Sequence, residues 1–176
     1  MKKKILLFPF IVFSLILLIF FYLLIIERNP KEIPSILSNQ KAPSFETESL
    51  FLNEKFISEE VFKNKIIIVN FFATWCKPCR DEHGYIKLLS KKNKVHIIGI
   101  NYKDKNEKTV EWLKKLGNPY SRIAIDKKGN IAIDWGVYGI PETFIVNSNG
   151  IIKFRHVGQI TEKIYKKINL LLAEIE

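Results

Sequence analysis

Ile68-Val69-Asn70-Phe71-Phe72-Ala73-Thr74-Trp75-Cys76-Lys77-Pro78-Cys79 is the stretch on which the fold turns. Its first half belongs to an apolar run, Ile66 to Ala73, rich in β-branched and aromatic residues. Such a run reads as a strand buried on both faces. Thr74 to Cys79 turns the chain, and a helical pattern follows to about Lys91. The two cysteines are the only ones in the chain, three residues apart directly after that strand. Cys76 therefore opens a helix, where unpaired backbone N–H groups and the macrodipole favour an anion and lower a thiol's pKa. It is expected to be the exposed, nucleophilic thiol of a disulfide exchange. Cys79, one turn further in, is expected to be the inert thiol that resolves the mixed disulfide.

Three other uses of a Cys-x-x-Cys pair compete with this reading. A purely structural disulfide closing so short a loop removes little unfolded-state entropy. A zinc site needs four ligands, and beyond Cys76, Cys79 and His83 no second cysteine pair exists, so no metal is expected. Covalent haem attachment needs His directly after the second Cys, where this chain has Arg80. Redox chemistry in an exported setting is the reading left.

Outward from the cysteines the chain alternates strands and helices. A short extended piece lies around Ser44 to Thr47. Val95 to Asn101 reads as a second strand. Asn106 to Leu116 reads as an amphipathic helix ended by Gly117-Asn118-Pro119. Strands near Thr143 to Val146 and Ile151 to Val157 flank Asn147-Ser148-Asn149-Gly150, a hairpin turn. A last helix places Ile160, Ile164, Ile168, Leu171, Leu172 and Ile175 on one face. Strand–helix alternation followed by a hairpin and a helix predicts an α/β domain, a central mixed sheet flanked by helices.

At the other end, Ile5 to Ile26 is 22 residues without a charge. As a helix at ~1.5 Å per residue it would cover about 33 Å, enough to cross a bilayer. Lys2, Lys3 and Lys4 precede it, so the positive-inside bias leaves the N-terminus cytoplasmic and sends the rest across. A cleaved signal peptide is the alternative, but Ile25-Ile26-Glu27-Arg28 offers no small-residue cleavage site. The expected organisation is a transmembrane anchor over 1–26, a linker over 27–41 with Pro30 and Pro34, and one domain over 42–176. The net charge of +10 does not point to nucleic acid. Three of the charges flank the anchor. The rest are mostly scattered lysines, and only Arg28, Arg80, Arg122 and Arg155 can make bidentate contacts.

The quoted strand and turn resemble the active site of the thioredoxin superfamily, and Ala42-Pro43-Ser44-Phe45 resembles the entry of its exported TlpA-like branch. Further strings narrow the likeness: Cys79-Arg80-Asp81-Glu82-His83, Gly99-Ile100-Asn101-Tyr102-Lys103-Asp104, Gly117-Asn118-Pro119-Tyr120, and Asp134-Trp135-Gly136-Val137-Tyr138-Gly139-Ile140-Pro141-Glu142-Thr143-Phe144. From Ala42 onward the chain resembles the DsbE/CcmG family, membrane-anchored thioredoxin-like reductases of cytochrome c maturation. The resemblance implies a thioredoxin-like fold and a periplasm-facing dithiol on a single-pass inner-membrane protein. It implies that this dithiol keeps the CxxCH cysteines of apocytochrome c reduced for haem attachment, directly or through a cytochrome-assembly thiol protein. A membrane electron donor of the DsbD/CcdA type would recharge it, and no metal or organic cofactor is needed. A general exported reductase of TlpA type, or a non-catalytic module that binds apocytochrome peptide by strand addition, are the alternatives.

The resemblance also implies roles for single residues. Pro141 matches a cis-proline that faces the cysteines, and Ile140 and Pro141 would offer backbone to the substrate chain. Trp75 would cover the sulfur and meet that chain. Glu142 matches a further acidic position and is expected at the substrate. His83 matches the family without a catalytic role; His96 and His156 read as structural. Asn70 stands where cytoplasmic thioredoxins carry a buried acid, so the proton of Cys79 needs another acceptor. Glu82, three residues past Cys79 on the same helical face, is expected to be that general base, its pKa raised by apolar surroundings and a nearby thiolate. Removing its charge should lower the pKa of Cys76. One departure concerns the helix: Gly84 stands where the family usually has a kinking proline.

Overall fold

The computed structural model describes residues 2–25, 39–52, 54–92 and 95–175, with side chains in the first of these segments described over 8–23. Contacts divide the chain into two units, Met1–Ile33 and Pro34–Glu176.

The first unit contains α1 (Lys2–Ile25), a helix of 24 residues. Its side chains from Phe8 to Leu23 are all exposed. Among the described residues no helix is long and apolar enough to cross a membrane. Most of the expected linker, residues 27–38, lies outside the described residues.

The second unit begins with a hairpin, β1 (Glu46–Glu48) against β2 (Lys55–Ile57), and the short helix α2 (Ser58–Phe62). The main sheet has five strands: β3 (Ile66–Phe72), β4 (Val95–Tyr102), β5 (Arg122–Asp126), β6 (Glu142–Val146) and β7 (Ile152–Val157), in the order β5-β4-β3-β6-β7. β3, β4 and β5 run parallel, and β6 and β7 are antiparallel to their neighbours. β3 lies at the centre and is buried along its whole length, as its unbroken apolar run requires.

The period of two along β3 sorts side chains into two cores. Ile68 and Phe72 face α3 (Lys77–Leu89), α4 (Asn106–Leu116) and α6 (Glu162–Ile175), packing with Ile86, Leu89, Trp112, Leu113, Ile168 and Leu172. Ile67, Val69 and Phe71 face the other way, toward Phe56, Phe62, Phe144 and Trp135, and toward α5 (Asn130–Asp134). Asn70 falls on the α3 side, fully buried among apolar neighbours.

The mixed sheet, the central strand and the terminal hairpin follow the sequence reading. β2, α2, β5 and α5 were not legible in it. Each is five residues or fewer, too short for a period to show. Ile160 is corrected: it precedes α6 instead of joining its apolar face. α3 stays helical through Gly84, which is exposed with open space around it, so Glu82 keeps its inward direction.

Candidate active site

Parallel pairing of β3 with β4 brings both carboxyl ends to one edge of the sheet, where ligand sites of α/β sheets form. β6 is antiparallel, so its first residue, Glu142, pairs with Phe71 near the end of β3. Three loops therefore meet: the cysteine turn after β3, residues 103–105 after β4, and Tyr138 to Pro141 before β6. The Thr74 N–H donates to Asp104 Oδ2 at 2.5 Å, and the Trp75 indole N–H donates to the Lys103 carbonyl at 3.3 Å. The loop after β4 thus clamps the cysteine turn.

Cys76 and Cys79 form a disulfide. Cys76 is the N-cap of α3, and its Sγ accepts the Cys79 backbone N–H at 3.1 Å. A serine or aspartate N-cap uses its oxygen in the same way. In the reduced protein this donor, together with the helix N-terminus, favours a thiolate on Cys76 over a thiol. Across the gap the Ile140 carbonyl oxygen lies 3.8 Å from Cys76 Sγ, and the Ile140–Pro141 peptide is cis. Trp75 stands beside the pair with 60% of its surface exposed.

Three residues past Cys79 on α3, Glu82 points into the domain and is 1% exposed. Its Oε1 accepts from Asn70 Nδ2 at 2.8 Å, and its Oε2 accepts the Ile160 N–H at 2.7 Å. Asn70 also donates to Thr143 Oγ1 at 3.1 Å, and its Oδ1 accepts the Tyr120 hydroxyl at 2.9 Å. Burial pushes the Glu82 carboxyl up to about 7, against the pull of the Ile160 and Asn70 donors. A carboxyl that titrates there exchanges a proton readily near neutral pH. Burial likewise drives the Tyr120 hydroxyl well above its ordinary value, helped by the Glu82 charge, so Tyr120 stays protonated and able to donate.

Residues 37–169 match the Redoxin family. The chain is 39% identical to the thiol:disulfide interchange protein DsbE of Escherichia coli K12 over 173 residues, 95% of this chain and 92% of the relative. It is 44% identical to the thiol:disulfide interchange protein CycY of Rhizobium leguminosarum bv. viciae over 134 residues, 76% of this chain and 72% of the relative. The chain belongs to the DsbE family of redoxins. The fold agrees: a crystal structure described as a DsbE from Chlorobium tepidum superposes with a TM-score of 0.69, covering 79% of this chain and 98% of that one at 22% identity.

As a member of this family the chain is a thiol:disulfide oxidoreductase, and Cys76 and Cys79 are the only sulfurs it has for that exchange. Two expectations change. Cys76 is not exposed: it is 5% accessible against 3% for Cys79, so burial does not separate the two thiols. What separates them is position, with Cys76 at the helix cap and facing Ile140. Glu142 does not reach the surface. It is fully buried, and its Oε2 accepts from Arg155, whose Nη2 also donates to the Gly136 carbonyl at 2.7 Å. It sits with Phe144 and Val146 on the face of the sheet opposite Asn70. Burial raises its pKa, opposed by Arg155 and by the backbone N–H groups of Tyr138 and Gly139. Glu142 thus fastens the segment leading to Pro141 from behind.

His83 is buried against Trp112 with its Nε2 at the Gly117 carbonyl, a packing role, and burial lowers its pKa. His156 is buried with its Nε2 at the Gln159 carbonyl. Among the described residues no group of three or more His, Cys, Asp and Glu could hold a metal ion. Sequence reasoning missed the Ile160 N–H at Glu82 and Arg155 behind Glu142, and Thr143 was visible only within the string that ends at Phe144. Tyr120 was visible only as the end of the Gly117-Asn118-Pro119-Tyr120 string.

Proposed function

We propose that this protein is a membrane-anchored reductase that delivers two electrons to the CxxCH disulfide of apocytochrome c, directly or through a cytochrome-assembly thiol protein, on the periplasmic side. The observation that carries the reading is the meeting of Cys76 Sγ with the Ile140 carbonyl at 3.8 Å, which sets the nucleophile against a loop whose backbone a substrate peptide can pair with. DsbE and CycY relatives over most of the chain support the thiol chemistry. The charge-free run Ile5 to Ile26, helical in α1 as far as Ile25, and the three lysines Lys2, Lys3 and Lys4 that precede the run support the anchor and its direction.

In the reductive step the Cys76 thiolate attacks one sulfur of the substrate disulfide, and the other substrate sulfur leaves as a thiolate. Cys79 then gives its proton to Glu82, directly or through one water, and its thiolate attacks Cys76 Sγ in the mixed disulfide. The substrate's second sulfur departs with the electron pair, and Cys76 and Cys79 are left oxidised. Trp75, Ile140 and Pro141 hold the substrate chain against the sulfur. A membrane dithiol donor of the DsbD/CcdA type returns two electrons.

The test is the Cys79→Ala protein, which cannot release its substrate. Apocytochrome c or a cytochrome-assembly thiol protein is expected disulfide-linked to Cys76. A broad mixture of envelope proteins would replace this reading with that of a general exported reductase. Failure of the wild-type chain to reduce a CxxCH peptide disulfide would leave only a binding module.

A further inference from the structure

The chain of side chains behind Glu82 has a direction, and the direction has a consequence for its proton. Tyr120 donates to Asn70 Oδ1, which obliges the other end of the amide, Nδ2, to face Glu82 and Thr143. An amide N–H pointing at a carboxyl favours the ionised form. An amide carbonyl there would favour the protonated form, which can donate to it. We infer that Tyr120, with Thr143, is a positioning residue that sets the proton affinity of Glu82 by fixing which end of the Asn70 amide the carboxyl meets.

The fold is built to hold this arrangement. Asn70 in β3 pairs across to Gly99 in β4 and to Thr143 in β6. A Cβ on Gly99 would lie 2.8 Å from Phe72 Cε1 and 3.0 Å from Tyr120 Cδ1, so the absence of a side chain admits both rings. Tyr120 stacks on Phe72 with centroids 4.6 Å apart and carries its hydroxyl to Asn70 beneath. The groups that meet the Glu82 carboxyl are the Asn70 amide from β3 and the Ile160 N–H from the segment before α6, with Thr143 from β6 and Tyr120 from the segment before β5 behind Asn70, and Cys79 one turn earlier on α3 as the titratable neighbour along the helix. None of these carries a fixed charge, so hydrogen-bond direction is what remains to tune the group. Because burial keeps Tyr120 protonated, its hydroxyl can donate throughout the pH range in which Glu82 titrates.

Loss of the Tyr120 hydroxyl leaves Asn70 Oδ1 buried without a donor. The amide then gains by turning Oδ1 toward a protonated Glu82, and the carboxyl holds its proton to higher pH. The inference concerns the proton affinity of Glu82; only its consequence for disulfide exchange rests on Glu82 as the acceptor of the Cys79 proton, and neither rests on the identity of the substrate.

The experiment follows the carboxyl carbon of Glu82 by NMR in the full-length oxidised protein, in detergent micelles, with the resonance identified by its loss in Glu82→Gln. Tyr120→Phe, which keeps the ring on Phe72, should raise the titration midpoint by about one pH unit, the size of one hydrogen bond to a charged group. Thr143→Val leaves Tyr120 in place and should move it the same way by less; it decides the matter if Tyr120→Phe does not fold. The pH profile of mixed-disulfide resolution should shift with the midpoint, and Tyr120→Phe should leave that profile unmoved in a Glu82→Gln background. An unchanged or lowered midpoint overturns the inference, as does a profile that Tyr120→Phe still shifts when Glu82 is gone. A raised midpoint with an indifferent resolution rate upholds the coupling and refutes instead the role of Glu82 as base.

Discussion

Replacing Glu82 by Gln should flatten the pH dependence of stability between about pH 4.5 and 7. A solvent-exposed Glu in the unfolded chain titrates near 4.5, whereas burial holds the folded carboxyl at about 7. Below pH 4.5 both states carry the proton and the group contributes no slope. Between the two values the folded state keeps a proton that the unfolded state has lost. Stability therefore falls as pH rises, and it levels off above 7. The separation of about 2.5 units, at about 1.36 kcal/mol each, makes the folded state roughly 3 kcal/mol less stable at pH 8 than at pH 4 on account of this one carboxyl. Urea unfolding of the oxidised domain lacking residues 1–26, followed by tryptophan fluorescence at pH 4, 5.5, 7 and 8, measures it. The quantity to read is the wild-type curve minus the Glu82→Gln curve, in which the contributions of Glu142 and His83 cancel. A constant offset is also expected, because a glutamine amide sets its N–H against one of the two donors that Glu82 accepts from, Asn70 Nδ2 or the Ile160 N–H. Two curves that run parallel within about 0.5 kcal/mol would refute the reasoning and return Glu82 to an ordinary carboxyl.

Alkylation of the reduced protein near pH 7 should modify Cys76 first, since only its sulfur sits at the helix cap with the Cys79 N–H aimed at it; mass mapping that finds Cys79 labelled faster reverses the two roles. In the same assay Glu82→Gln should lower the pKa of Cys76, by removing a like charge. Removal of residues 1–26 should leave a soluble, redox-active domain, because both hydrophobic cores and the cysteines lie beyond that segment; aggregation, or loss of a cooperative thermal transition, would show that the segment is needed for folding.

The parts of the site legible in the amino-acid sequence are those in which chemistry and local structure share one short stretch. Ile66 to Cys79 spells a buried strand, a turn and a helix start, so the position of Cys76 at the helix cap follows from neighbours in the chain. A contiguous stretch carries its own period, and an N-cap is set by residues one turn away. Pro141 stood out only through the string around it, and the tertiary structure placed its loop opposite the cysteines through the antiparallel pairing of β6 with β3. The surroundings of Glu82 and Glu142 had no such local signature. Two carboxylates in matching motif positions were expected to act on one site, yet the period of two along β6 puts Glu142 behind the sheet with Arg155, while α3 turns Glu82 inward. The donors that meet Glu82 come from Asn70, which is itself held by Thr143 and Tyr120, and from Ile160, 78 residues further along the chain. Hydrogen bonds between segments so far apart leave no spacing to read, and the proton affinity of a buried carboxyl depends on them. The sequence therefore determined where the sulfurs stand, and only the packed sheet decided which groups govern their protons.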